Sequence, residues 1–251
     1  MVEVDASFHA LPSERAGRLW SERTPDGFVF DVKAFSLLTG RPTRQAALPD
    51  GLPADSRDPA VPDEVWPGSP RASSRCGAPG RLGSVLFQFP PWFRPGQRAA
   101  ELLHACAERP RGWTLAVEFR HPSWWEPDRA DATRALLAGY GMAAVADMHP
   151  APPSSMPPVT PVTSPRLSVV RFHGRSAAWG TGSKEERFRH VYGDDELAEW
   201  LPRVRGRAER TEQVHVLSNN CYGDASVSAA EHMARLLDAA APAAPAVRLP
   251  G

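Results

Sequence analysis

"TLAVEFRHPSWW", residues 114–125, begins as an unbroken apolar run and finishes in Glu118, Arg120, His121 and a Trp pair. Leu, Ala, Val and Phe without polar alternation mark a strand buried on both faces, as in a parallel sheet covered by helices. Side chains alternate along a strand, so Glu118 and Arg120 share one face and Phe119 takes the other. Charged groups are rarely buried unless paired. The run is therefore expected to stop at a polar rim, with Glu118 and Arg120 acting there together. His121 reaches that rim, if at all, from the turn.

Similar runs recur along the chain. Strands are expected at "VEVDASF" (2–8), "GFVFDVKAF" (27–35), "GSVLFQF" (83–89), "TLAVEF" (114–119), "GMAAVAD" (141–147), "LSVVRFH" (167–173) and "QVHVLSN" (213–219). Amphipathic stretches lie between several of them. "GQRAAELLHACAER" (96–109) puts Ala99, Leu102, Leu103 and Cys106 on one stripe. "DDELAEWLPRVRGRAER" (194–210) does so with Leu197, Trp200, Leu201 and Val204, and Pro202 is expected to kink or split it. "DASVSAAEHMARLLDAA" (224–240) offers Val227, Ala230, Ala234 and Leu237.

Strand alternating with helix implies βαβ units and a parallel sheet, either doubly wound or a barrel. No G-x-G-x-x-G follows a strand and no G-x-x-x-x-G-K-[ST] occurs, so the nucleotide-fold fingerprints are missing. The expected class is α/β, a (β/α)8 TIM-barrel-like fold. Seven strands are one short of eight, and the chain begins inside a strand. The reading is a barrel lacking its first β/α unit, with Met1 expected to be a late start.

One barrel domain is expected over residues 1–240. Within it, residues 36–82 are rich in Pro, Gly, Ser, Arg and Asp and read as an irregular or partly disordered excursion, with structural hints only at "ALPDGL" and "PDEVW". Residues 241–251 read as a loose tail. The 29 basic and 29 acidic side chains cancel, so overall charge gives no reason to expect nucleic acid or an anionic membrane as partner. No stretch approaches the roughly 18 apolar residues of a membrane span. The start "MVEVDASFHALP" lacks the layout of a signal peptide. Cys76, Cys106 and Cys221 are odd in number and form no C-x-x-C pair, which fits a reduced cytoplasmic protein without disulfides or structural zinc.

Barrel active sites form at the C-terminal strand ends. Here those ends carry Glu3 with Ser7, Phe8 and His9; Asp31 and Lys33; Gln88; Glu118, Arg120 and His121; Asp147; Arg171, His173 and Arg175; and Asn219 with Asn220. Their convergence on one rim is the main functional signal. Each also has a plainer reading. Glu3 with Lys33, or Glu118 with Arg171, suit ion pairs filling the polar end of a core. His121 suits a turn cap, Asn219 and Asn220 suit loop backbone, Trp124 and Trp125 suit loop anchors, and Cys221 suits a small filler.

The ordered motifs "VEVDASFHALPS", "TPDGFVFDVKAF", "LGSVLFQFPPWF", "AVEFRHPSWW", "VVRFHGR" and "VHVLSNNCYGDASVSAA" resemble domain-of-unknown-function family 72, the YecE-like proteins, over most of residues 2–237. The resemblance implies a (β/α)8 barrel and marks Glu3, Lys33, Gln88, Glu118, Arg120, His121, Arg171, His173, Asn219 and Asn220 as lining a site. It implies no settled activity. The family's usual opening, a Gly-Thr-Ser-Gly-Trp type strand and a helix, is lacking here. Asp5 and Ala6 stand where Asn and Ser are common, His9 and Ser218 replace aromatic residues, and Cys221 replaces Asn or Asp.

The expected function is a hydrolase or lyase acting on a small anionic substrate. Arg171, Lys33 and Arg120 would hold a phosphate or carboxylate, since guanidinium forks match such groups. Glu118 would be the general acid or base, with His121 or His173 as its proton-transfer partner. Gln88, Asn219 and Asn220 would orient the substrate or stabilise developing charge. No cofactor is implied. The nearest alternative is a divalent-metal barrel enzyme using Glu118, Asp147, His121 and His173, although no compact ligand motif is present. A further alternative is a non-catalytic module binding protein or nucleic acid through Arg41, Arg44, Arg57, Arg71, Arg75 and Arg81.

Overall fold

All seven expected strands form, in a computed structural model that describes residues 1–43, 48, 65, 80–109, 112–148, 161–176, 178, 182–220 and 222–239. They are β1 (Val2–Val4), β2 (Phe30–Lys33), β3 (Leu82–Gln88), β4 (Leu115–Glu118), β5 (Ala143–Met148), β6 (Leu167–Phe172) and β7 (Gln213–Ser218). Every pairing is parallel and the spatial order follows the chain, β1 through β7. Sequential parallel order with helical crossovers gives an α/β, TIM-barrel-like fold. Among the described residues β1 and β7 are the two edge strands. Side chains reach across the lumen, from His215 on β7 to Asp31 on β2 and from Arg171 on β6 to Glu3 on β1.

The helices are α1 (Glu14–Glu22), α2 (Gln97–Glu108), α3 (Ala130–Gly139), α4 (Lys184–Phe188), α5 (Asp194–Ala198), α6 (Leu201–Ala208) and α7 (Ala225–Ala239). Ser13 starts α1 by accepting a hydrogen bond from the Ala16 amide at 3.1 Å. Pro202 does split the 194–210 stretch, ending up in the first turn of α6, where a missing N–H is tolerated. The expected stripe on α7 is corrected: Ala225, Ala229 and Met233 are buried, whereas Val227 is 61% exposed. Alanines surround that helix, so the burial of the four-residue series through Met233 outweighs one branched side chain.

The two-residue alternation sorts the strands into an outer and an inner face. Outward residues Phe87, Phe89, Val117 and Phe119 pack with Leu103 and Cys106 of α2 and Leu137 of α3, and Val170 and Phe172 pack with Trp200 and Met233. Leu48 and Val65, from the two stretches of the 36–82 excursion that hint at structure, join the first of these cores. Inward, Leu86, Ala116, Ala143, Val145, Leu167, Val169 and Leu217 form an aliphatic plug. The excursion starts later than expected, because Ser36–Thr39 make a buried 3-10 turn. Most of its remainder, and the expected tail at 241–251, lie outside the described residues.

Polar groups sit on both sides of the plug. Toward the N-terminal strand ends, Asp31 accepts from Ser84 Oγ at 2.8 Å through one oxygen and meets His215 Nδ1 at 2.8 Å through the other. A Cβ on Gly83 would stand 2.5 Å from Val29 and 2.7 Å from Asp31 Oδ1, so this corner has no spare volume. Asp31, expected at the rim, is thereby placed in the lower lumen. No described helix is long and apolar enough to cross a membrane.

Candidate functional site

The upper cluster is built from Glu118 outward. Its carboxylate is fully buried. Oε1 accepts from Gln88 Nε2 at 2.7 Å and from Arg120 Nε at 2.7 Å, and Oε2 accepts from Arg171 Nη1. Register places Gln88 opposite Glu118 on the neighbouring strand, and the shared strand face brings in Arg120. Phe119 turns outward and stacks on Trp124 at 4.0 Å between centroids, 5° from parallel. Trp124 Nε1 donates to the Phe93 carbonyl at 2.8 Å, so "HPSWW" and "FPPWF" brace each other behind the rim.

Arg171, also fully buried, spans two carboxylates. Besides Glu118 it donates from Nη2 to Glu3 Oε1 at 2.6 Å, while Glu3 Oε2 is buried with no hydrogen-bond partner among the described residues. Lys33 does not pair with Glu3. Its Nζ lies 2.5 Å from Asp5 Oδ1, so Asp5 supplies its counter-charge.

The two glutamates are driven in opposite directions. Burial alone would raise the Glu118 carboxyl, but Arg171, Arg120, His173 and Lys33 together hold it well below the usual range. For Glu3 burial wins over Arg171 and Lys33, the Glu118 charge adds to it, and the carboxyl rises.

His173 completes the cluster. Nε2 lies 3.3 Å from Arg171 Nη1 and 3.9 Å from Glu118 Oε2, and the Asn219 amide lies 3.0 Å from Nδ1. The ring thus stands between the Arg171 guanidinium on one side and the Asn219 Nδ2 amide on the other. Gly174, at φ +93°, then turns the chain away, and Arg175 leaves the site to pair with Glu196 and Glu199.

Of the residues expected at the site, Glu3, Gln88, Glu118, Arg120, Arg171, His173 and Asn219 come together, with Lys33 and Asp5 beside them. His121 and Asn220 are placed elsewhere. His121 Nδ1 accepts from the Ser123 amide at 3.2 Å as the cap of the Pro122–Trp124 turn, and burial and Arg94 lower its pKa against the pull of Glu126. Asn220 donates to the His190 carbonyl and its own carbonyl accepts from Ser226. Asp147 stands in register with Arg171. Cys221 lies outside the described residues, as do Arg44, Arg57, Arg71 and Arg75 of the excursion. Arg81 is tied to Thr24, Pro25 and Asp26. Among the described residues no three His, Cys, Asp or Glu side chains converge as a metal would require.

The sequence model of the family described as "Protein of unknown function DUF72" matches residues 1–250. This chain belongs to the DUF72 family. The UPF0759 protein YunF of Bacillus subtilis (strain 168) is 30% identical over 245 residues, covering 95% of this chain and 83% of that one. Two crystal structures share the fold. The DUF72 family protein from Enterococcus faecalis V583 at 2.52 Å resolution superposes with a TM-score of 0.78 at 21% identity, over 94% of this chain and 89% of that one. The DUF72 family protein from Thermotoga maritima MSB8 gives 0.73 at 26% identity, over 92% and 82%. In this DUF72 chain the signal that sequence reasoning undervalued is Glu3, which reads as a binding group until its partner Arg171 is seen to be shared.

Proposed function

We propose that this chain is an enzyme, of hydrolase or lyase type, that binds a small phosphate- or carboxylate-bearing substrate at the strand ends and moves a proton with Glu3. One observation carries the reading: a single guanidinium holds two carboxylates of opposite character. Glu118 is engaged by three donors and kept ionised, whereas Glu3 is raised and keeps one oxygen unpartnered. Neighbouring carboxyls whose pKa values are pushed apart divide the labour between a fixed charge and a proton carrier.

Glu118, expected from the sequence to be the acid or base, is in this reading the anchor that orients Arg171, Arg120 and Gln88. His173, whose Nε2 lies 3.9 Å from Glu118 Oε2, is the partner group for the second proton transfer. Charge supports an anionic substrate. Lys33, Arg41, Arg120 and Arg171 face Glu3, Asp5 and Glu118, so four cations meet three carboxylates, and protonating Glu3 adds to the excess.

The test is a screen of phosphate monoesters, carboxylate esters and β-elimination substrates against the wild type and two variants. Turnover should fall about 100-fold or more in Glu3→Gln. It should persist in Asp31→Asn, which alters the lower cluster. Turnover that survives Glu3→Gln would return the proton to another group and end this assignment.

A further inference from the structure

The mouth above the buried cluster carries groups that proton transfer does not use. Arg41 follows the Ser36–Thr39 turn and lays its guanidinium over two rings. Its Cζ is 5.5 Å from the Phe8 centroid and 5.8 Å from the Trp92 centroid. Phe8 also carries Lys33 Nζ at 4.8 Å, which ties this arrangement to the site below. Trp92, from "FPPWF", is 60% exposed although its neighbours Phe89 and Phe93 are packed into the stack. The indole is thus left open to solvent with a guanidinium beside its ring.

The cations there are incompletely satisfied. Arg41 Nε is buried without a hydrogen-bond partner among the described residues. Among the described residues Arg120 bonds only through Nε, to Glu118, and its side chain is 22% exposed. Burial and the Arg120 charge lower the Arg41 pKa while Glu118 opposes them, so the three groups lie within electrostatic reach. Two guanidiniums at one mouth repel unless an anion lies between them. A carboxylate's two oxygens satisfy a single fork, whereas the three terminal oxygens of a phosphate monoester can serve two.

We infer that this mouth is a binding subsite for a phosphate monoester that carries a planar ring. Arg41 and Arg120 take the phosphate oxygens, and the ring lies on the open indole of Trp92. The inference rests on the anionic-substrate reading above and narrows its substrate class. Stacking on an aromatic side chain tightens binding by about 5- to 150-fold.

Calorimetric titration of the whole chain with adenosine 5′-monophosphate, phenyl phosphate and ribose 5-phosphate tests it. The two ring-bearing esters should bind at least about fivefold more tightly than ribose 5-phosphate. A gain for adenosine 5′-monophosphate alone identifies a purine-sized ring as the ligand group, and a gain for both identifies any arene. Trp92→Leu, at an exposed position, should erase the gain of the two ring-bearing esters over ribose 5-phosphate. Arg41→Met should weaken all three esters about tenfold, and Arg41→Lys, which keeps the charge but not the fork, should recover only part. Equal affinity for all three esters, or a gain that survives Trp92→Leu, overturns the subsite and leaves the anionic-substrate reading standing. If none of the esters binds and inorganic phosphate is also silent, both readings fail.

Discussion

The two ends of the barrel lumen each bury a carboxylate, a histidine and a neutral hydrogen-bonding group, yet they are finished differently. In the lower cluster each Asp31 oxygen has one partner, Ser84 or His215, and Gly83 leaves no room for more. In the upper cluster, among the described residues, one Glu3 oxygen has no partner, the cations exceed the carboxylates, and the Trp92 indole stands exposed. Buried polar groups are normally fully bonded. Closure below marks a polar brace that holds strands together, and incompleteness above is the feature on which the proposed binding site rests.

The sharpest way to break this comparison is to remove the guanidinium on which the upper cluster turns. Arg171→Met leaves two buried carboxylates without their shared cation and should destabilise the fold by about 3–5 kcal/mol in urea unfolding. Asp31→Asn should cost about 1–3 kcal/mol by leaving a lower-cluster donor unsatisfied. It should leave ester binding at the mouth unchanged, and a loss of binding there would show that the two ends are coupled. Gly83→Ala should also cost about 1–3 kcal/mol through overpacking against Val29 and Asp31.

A pH experiment separates the two glutamates. Glu118, with a depressed pKa, contributes stability above the ordinary Glu value of about 4.3 that is lost as the pH falls toward its folded-state value. Glu3 has the opposite sign. Its folded form binds a proton more tightly than the unfolded chain, so its effect on stability worsens as the pH rises through its raised value. Glu3→Gln should therefore be at least as stable as the wild type at pH 7, while Glu118→Gln should be less stable there. Urea midpoints at pH 3, pH 5 and pH 7 check both. The smallest effect is expected at the exposed Val227 on α7, where Val227→Lys should change stability by no more than about 0.5 kcal/mol.

Much of the fold was legible because apolar runs such as "TLAVEF" are written into the chain one strand at a time, and all seven strands lie where those runs do. The alternation of Glu118, Phe119 and Arg120 also read correctly, since period two is a local property. Partnership is not local. Glu3 and Lys33 sit on adjacent strands, yet Lys33 goes to Asp5 and Glu3 to Arg171, because the lumen brings β6 across to β1. Asp31 and His215 were equally hidden, being polar residues within strands that closure alone could pair. Arg41 did not stand out, because it lies in a Pro- and Arg-rich stretch where its sequence setting resembles that of the other arginines. The α7 stripe was misread because Ala gives weak contrast between faces, so Val227 drew the eye to the wrong one.

The bond between Arg171 and Glu3 joins residues 168 positions apart. On a ribosome that adds about 5–20 residues each second, Glu3 emerges roughly 10–30 s before Arg171 is synthesised. Until then neither Glu3 nor, once made, Glu118 has Arg171 to meet, although Arg120 follows Glu118 by two residues. The two glutamates thus come to share a cation only when the sixth strand docks. Synthesis order makes this shared contact one of the last the barrel gains, and a fragment that stops before residue 171 would hold both glutamates without the guanidinium that joins them.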